Sequence, residues 1–476
     1  MSTVKELPRD VPVLDEVDVL VSGAGVSGCA AAASAARAGA RTLLVERNGF
    51  LGGVATASLM ANIGNRFLTS EGKRVVRGFA GELVDRLVDR GAASPGWEHR
   101  DVPGCTIDPE KLKVVLLEML DESGVEILTH AVAAQPIMDG NRVRGVFLES
   151  KSGREAVISS ATVDATGEAD LAYRAGAEVT WDGGSASIIF KMENVDIDSL
   201  VDFIAEDPGG FPGGVDWVKD LDTFLNNWRE RGVFFFPHGG GRSWRFFQGE
   251  IERGGFEREI DPATGLDALG MYGFRGNGWV VVNSNFYRIE DLDVRNLSRF
   301  ELHAQKMCYR VGEFLIERIP GFKDSHLSQV GVDLGVRTSR AIIGRCALSR
   351  ESLFDPPGPF HADDVIGVTS SIDSERASGE FFHPFTCDVP FGIMVPRGVE
   401  GMLVGSAKSV DTRPRGIIRG MTGCMVCGQA AGVACALGAR DGVGPGSLPV
   451  RNIQRKLLEQ GAYLGPPERV RSLGLI

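Results

Sequence analysis

A chain of 476 residues, 43% hydrophobic and 24% charged, is ordinary globular material with enough apolar content for two or three cored domains, which excludes disordered and fibrous classes. A net charge of -12 and the lack of any Lys/Arg block exclude a dedicated nucleic-acid binder, because phosphate neutralisation needs a basic face. The 62 glycines follow no repeat and point to turns and close backbone packing.

Residues 1–19 alternate charges and carry no apolar segment of their own, so no signal or transit peptide is read and a cytoplasmic location is expected. Val17 to Ser22 reads as a buried strand. A Gly-rich turn follows, then an Ala-rich helix from Cys29 to Ala38 ended by Gly39, then a second strand from Arg41 to Glu46. This β-α-β unit carries Gly23, Gly25 and Gly28 in G-x-G-x-x-G spacing and an acid, Glu46, at the end of its second strand. Gly23 serves the tight turn, Gly25 the approach of backbone to a pyrophosphate, and Gly28 the packing of helix on sheet; Glu46 is placed for ribose hydroxyls. Strand, turn, helix, strand and acid at this spacing specify a dinucleotide site.

Further along, Asp108 to Glu122 has helical spacing, Val125 to Thr129 reads as a strand, Asn141 to Glu149 and Glu155 to Ser160 as a hairpin, and Thr162 to Ala165 as another strand. From Trp181 to Phe385 the β-α alternation is lost, and Phe234, Phe235, Phe236, Trp244, Phe246 and Phe247 concentrate aromatic surface expected to accommodate a substrate. Gly401 to Gly405 returns as a short strand. From Gly420 to Ala439 no charge occurs, but Gly, Ala, Cys, Thr and Met dominate and Gln429 lies midway, so a buried helix is expected rather than a membrane span.

Several of these segments carry a resemblance. Glu46 is followed by Arg47 and the pair Gly52, Gly53; Val163, Asp164, Ala165, Thr166 and Gly167 form a later strand end; GVRTSRAIIG (Gly335 to Gly344), VPFGIMVPRGVEGMLVG (Val389 to Gly405) and GIIRGMTGCMVCGQAAGVACALG (Gly416 to Gly438) follow. Together they resemble the FAD-dependent oxidoreductase family, within the FAD-binding superfamily that includes glutathione reductase and fumarate reductase flavoproteins. The resemblance thins from Trp181 to His326. It implies an α/β fold in which residues 1–180 and 388–476 form a discontinuous Rossmann-like FAD-binding domain, and 181–387 an inserted α+β substrate domain. It further implies a second diphosphate contact at Gly52 and Gly53, a crossing of the nucleotide at Ala165, Thr166 and Gly167, and an adenine contact at Ala131 and Val132. Gly405, Arg419, Met421 and Thr422 would close around the flavin. Where the family commonly reads Ala-Gly-Arg after the C-terminal strand, this chain has Gly405, Ser406, Ala407, Lys408.

Flavin chemistry needs groups that orient a substrate and move a proton. Arg337, Arg340, Arg413, Arg415 and Arg419 lie in the two segments that the resemblance places beside the cofactor, so one or two of them are candidates to clamp a carboxylate or polarise a carbonyl, Arg340 and Arg415 foremost; His383, in FFHPF, is a candidate general base, with His238 below it. Cys424 and Cys427 make a Cys-x-x-Cys read as packing. The redox pair of the glutathione-reductase class would follow Gly53, where Val54, Ala55 and Thr56 stand. The seven His are dispersed and give no metal motif. The function expected is a flavin-dependent dehydrogenase or reductase acting on a small or medium organic substrate by hydride transfer. A monooxygenase or oxidase is the enzymatic alternative, and a non-catalytic nucleotide-fold binding protein a further one. NAD(P)H, a quinone, oxygen or a partner protein remain open as electron donor or acceptor; neither nucleic acid nor membrane is an expected partner.

Overall fold

The computed structural model describes residues 3–5, 8–64, 67–69, 71–99, 101–102, 104–181, 183–212, 218, 220–237, 244–253, 264–265, 269–284, 286–354, 362–369 and 386–476. The elements that position the cleft are, in chain order, β1 (Val13–Ser22), α1 (Val26–Arg37), β2 (Thr42–Val45), α2 (Pro109–Glu122), β3 (Glu126–Leu128), β4 (Val132–Asp139), β5 (Arg142–Ser150) and β6 (Gly153–Asp164). After these come β7 (Ile189–Glu193), β8 (Val233–Phe236), β9 (Gly270–Phe274), β10 (Trp279–Asn283), α3 (Val294–Arg318), β11 (His326–Val330), β12 (Met402–Val404) and α4 (Met421–Asp441).

The first sheet runs β3-β2-β1-β6-β5-β4, with β12 also on β6. Strands β1, β2, β3, β6 and β12 are mutually parallel, as their crossover connections require. The expected hairpin strand Glu155 to Ser160 and the separate strand Thr162 to Ala165 are one twelve-residue strand, β6. Its first half pairs antiparallel with β5, its last three residues pair parallel with β12, and its other edge follows β1 for almost its whole length. β4 had no counterpart in the sequence reading: it is largely solvated and contains Gln135 and Pro136, so neither alternation nor a continuous apolar run marks it.

α1 and α4 cross tightly over this sheet. A Cβ on Gly428 would stand 2.1 Å from the Ser27 carbonyl oxygen and one on Gly432 2.0 Å from that of Ala31, so two glycines one turn apart set the helix separation. α4 is long and apolar enough to cross a membrane, yet the residues of its apolar stretch are all buried inside the protein, as its small-residue composition suggested. α2 begins at an Asp108 cap that accepts from Glu110 N and Lys111 N.

The second sheet is antiparallel, in the order β8-β9-β10-β7-β11. Strand alternation divides its side chains between two faces. Phe190, Met192, Phe234, Phe236, Met271, Val280 and Val282 join a core with Phe300, Met307, Val311 and Leu315 of α3. Ile189, Tyr272, Phe274, Trp279 and Val281 form another cluster with Leu59 and Ala61, which follow β2 in the chain. Most of the insert's aromatic surface is therefore structural: Phe234, Phe236, Trp244 and Phe247 are buried in the core on the α3 face, and of the six aromatics named from sequence only Phe235 reaches the cleft described below. Packing changes sides before residue 387, since Ile342, Leu348, Leu353, Ile366 and Val368 belong to the first core.

Candidate functional site

A cleft of about 590 Å³ runs along the C-terminal ends of β1, β2 and β6, beneath residues of the second sheet. That is the edge of a doubly wound sheet where helix N-termini and strand ends leave backbone groups open. At one end stands Glu46, buried, accepting from Ala24 N at 2.7 Å on one oxygen and Asn48 N at 2.9 Å on the other. Both oxygens are fixed by backbone and each keeps a lone pair for a ligand hydroxyl.

Gly23, Gly25, Gly52 and Gly53 line the next stretch. Gly52 N donates to Ala24 O at 2.8 Å, stapling the second glycine loop to the first. A Cβ on Gly25 would meet no protein atom closer than 3.9 Å and would stand in the cleft, whereas one on Gly53 would lie 2.8 Å from the Gly25 Cα. Gly28 lies behind this surface: its Cβ would fall 1.7 Å from the Gly23 carbonyl oxygen, so it serves helix packing.

Ala165, Thr166 and Gly167 form the opposite bank. Their turn is organised by Asp164, which accepts from Thr166 Oγ1 at 2.6 Å, Thr166 N at 3.1 Å and Ala172 N at 2.9 Å. Complete burial raises the Asp164 pKa above the usual carboxylate range, against the lowering effect of these hydrogen bonds. Val132 lines the cleft beside Glu46; Ala131 N is taken by the Glu46 carbonyl at 3.1 Å. Arg47 lines it too, with its guanidinium 2.5 Å from Asp333 Oδ2.

At the far end, Arg419, Gly420, Met421 and Cys424 bring the N-terminus of α4 to the cleft, aiming the positive end of a 21-residue helix at it. Two residues expected at this end lie just outside the lining. Gly405 N donates to Asp164 O at 2.9 Å and its carbonyl accepts from Ser27 Oγ at 2.5 Å, so Gly405 joins β12 to β6 and α1. Thr422 is wholly buried. Lys408, which stands where the family has a different pattern, lines the cleft, pairs with Glu168 and donates to Val336 O at 2.8 Å.

Two of the residues singled out for catalysis, Arg340 and Arg415, lie outside the cleft lining. Arg340 donates to Glu168 O at 2.9 Å, pairs with Asp170 and stacks 4.2 Å over the Tyr173 ring, outside the cleft lining. Arg415 donates to Thr180 O at 3.0 Å and Ser339 O at 2.6 Å, bracing backbone rather than facing the cleft, and burial lowers its pKa. His383 and His238 lie outside the described residues. Cys424 and Cys427 are both free and buried, and burial raises the pKa of each, which suits packing and not thiol exchange. No cluster of metal-ligating side chains occurs among the described residues.

Sequence reasoning missed Asn48, Asn62, Asp333 and Tyr272. Asn48 Nδ2 lies 3.2 Å from Asp333 Oδ2; Tyr272 and Phe235 stack at 4.8 Å and both line the cleft with Ile189, Met60 and Arg337. None belongs to a motif. They meet because the second sheet folds over the first.

A Rossmann-type sheet whose nucleotide edge borders a cleft shared with a second, antiparallel sheet defines a dinucleotide-binding protein of the α/β class. Residues 18–457 match the FAD dependent oxidoreductase family, and the chain belongs to it. It is thus an FAD-binding oxidoreductase enzyme. Among curated proteins it is 28% identical over 206 residues to digeranylgeranylglycerophospholipid reductase 1 of Methanopyrus kandleri, covering 43% of this chain and 54% of the relative. The chain spans about half the length of such relatives. Among solved structures, a geranylgeranyl bacteriochlorophyll reductase-like protein of Thermoplasma acidophilum aligns with a TM-score of 0.44 at 14% identity, over 94% of this chain and 87% of that one. A flavin-dependent brominase aligns with a TM-score of 0.45 at 12% identity, over 97% and 93%.

The cleft fits an FAD. It is long enough to hold backbone surface for a diphosphate, a fixed carboxylate for a ribose and a helix N-terminus in one continuous channel, and a Cβ at Gly25 would obstruct it.

Proposed function

We propose that the protein is a dehydrogenase or reductase that exchanges hydride between its FAD and a small or medium organic substrate. The supporting observation is that the cleft lined by Gly25, Glu46 and Met421 is also lined by Ile189, Phe235 and Tyr272 of the second sheet, which give it an apolar, aromatic wall. FAD, when bound, supplies the hydride chemistry. Gly23, Gly25, Gly52 and Gly53 would give backbone to its diphosphate, Glu46 its adenosine ribose contact, Val132 and Arg47 the adenosine side, and Ala165, Thr166 and Gly167 the crossing contact. Arg419 and Met421 would stand at the flavin, where the end of α4 favours negative charge. Gly28, Gly405 and Thr422 hold those elements in place from behind.

For the substrate, Arg337 is favoured among the five arginines that the sequence offers, over Arg340 and Arg415. It lines the cleft, and its positive charge acts on the Tyr272 phenol. Tyr272 is buried, which raises its pKa, so the phenol stays protonated at neutral pH and orients a substrate oxygen as a donor. The apolar wall excludes water around the transferred hydride. Eight cysteines, all free, accord with a reducing compartment such as the cytoplasm.

Anaerobic mixing of the yellow holoprotein with NADH, NADPH, alcohols, amines and enones, followed by oxygen or a quinone, tests this reading. Bleaching by one organic class and recovery with an acceptor support it. Bleaching by nicotinamide alone, with an oxygenated product after air is admitted, makes the protein a monooxygenase and overturns it.

A further inference from the structure

We infer that residues 332–337 form a gate across the cleft, latched by the Asp333 carboxylate on Arg47 and Asn48, and that FAD enters and leaves when this latch opens. This rests on the cleft being the FAD site.

Residues 333–337 all line the cleft, as do Gly23 and Gly25, so the cleft is bordered by the glycine loop on one side and by this strap on another. The two ends of the strap reach opposite banks. Asp333 Oδ2 accepts from Arg47 at 2.5 Å and from Asn48 Nδ2 at 3.2 Å, both just past β2. The Val336 carbonyl accepts at 2.8 Å from Lys408, whose ammonium pairs with Glu168, just past β6. Strand β1, whose loop carries Gly23 and Gly25, lies between β2 and β6. Two strand spacings and three extended residues each come to about 10 Å, so residues 333–336 are long enough to bridge that loop. A nucleotide seated on the loop has to pass the strap to leave.

The attachments of the strap are unequal. On the side away from the first sheet, Leu334 N donates to Glu301 Oε2 of α3 at 2.8 Å, and Gly335 and Val336 pair antiparallel with Ser187 and Ala186, just ahead of β7. These contacts survive if the strap lifts from the first sheet. Lifting the Asp333 end breaks its two side-chain bonds and the bonds from Val332 N and Asp333 N to the Ala57 carbonyl, at 2.6 and 3.3 Å. The side chains of Lys408 and Glu168 are 14% and 19% exposed, those of Arg47 and Asp333 62% and 27%. Water and salt compete for the more exposed pair, so the Asp333 end opens first and the Lys408 end is the hinge.

A latch and a contact differ in kinetics: a residue that only touches bound FAD slows its release, whereas a latch slows entry and exit alike. Association of FAD with the full-length apoprotein is followed by stopped-flow flavin fluorescence, and release from the holoprotein by the fluorescence that returns on dilution. In Asp333→Asn both rates should rise about 5-fold, with the Kd within about 2-fold of the parent. Asn48→Ala removes one partner of the latch without changing charge and should also raise both rates. Faster release with unchanged association makes the group a contact and overturns the gate. So do unchanged rates, or faster association confined to Asp333→Asn, because loss of a charge that repels the diphosphate then accounts for it. Where Asp333→Asn does not fold, Asn48→Ala decides by the same criteria. A parent apoprotein that takes up no FAD removes the cleft assignment and the gate with it, and is recognised before any variant is compared.

Discussion

Lys408 Nζ lies 2.8 Å from the carbonyl oxygen of Val336 while its ammonium pairs with Glu168, so one side chain ties the loop after β12 to the turn after β6 and to the strap leading out of the second sheet. All three segments border the cleft. Lys408→Met keeps the apolar stem but leaves Glu168 and the Val336 carbonyl without their charged partner. The variant should fold and release FAD about 10-fold faster, followed by the rise in free-flavin fluorescence on dilution. An unchanged release rate would show that the tie has no part in retention.

Gly25 and Gly28 share one fingerprint and should respond differently. Gly25→Val projects into the cleft and meets no protein atom closer than 3.9 Å at its Cβ, so the protein should purify folded, by circular dichroism, and nearly free of flavin. Gly28→Ala collides with the Gly23 carbonyl at 1.7 Å and should cost on the order of 3 kcal/mol in denaturant unfolding. Full flavin content in Gly25→Val would contradict the assignment of the cleft.

Asp164→Ala removes the acceptor for Thr166 N, Thr166 Oγ1 and Ala172 N together. Three donors then lose their partner in a buried turn, and a loss of about 3 kcal/mol is expected, with weaker FAD binding because Thr166 and Gly167 no longer hold their positions. Thermal unfolding of the apoprotein and flavin titration check the two effects separately.

Alkaline pH should unfold the protein steeply. Burial raises the thiols of Cys29, Cys387, Cys424, Cys427 and Cys435 above their ordinary value of 9.0, and that of Cys105 to about 12. Above pH 9 the unfolded chain gives up these protons and the folded one keeps them, so each thiol withdraws about 1.4 kcal/mol of stability per pH unit until the folded pKa is reached. Stability measured by urea titration should be flat from pH 7 to 8.5 as far as thiols are concerned and fall sharply beyond 9.5. Replacing Cys435 with Ala should make that fall shallower, and an unchanged slope would show that the buried thiols do not drive it.

The local sequence determined the nucleotide half of this protein. Gly23, Gly25, Gly28 and Glu46 are spaced by backbone geometry that any β-α-β crossover must obey, and the small residues of α4 announce a helix packed on every side, so adjacent residues carry the whole message. That a dinucleotide binds was legible for the same reason, while FAD in particular was read from the resemblance carried by the later segments. What only the tertiary structure decided is the other bank of the cleft. Asp333 reaches Arg47 across 286 positions, Lys408 reaches Val336 across 72, and Tyr272 shares the cleft lining with Arg337 only because alternation along β9 turns it from the α3 core toward the first sheet. Arg340 and Arg415 stand in the motifs of the resemblance, but Arg340 pairs with Asp170 and donates to the Glu168 carbonyl while Arg415 donates to the Thr180 and Ser339 carbonyls, partners that no periodicity records. Contacts between distant segments depend on register and packing, and these are properties of two surfaces meeting rather than of either stretch of chain.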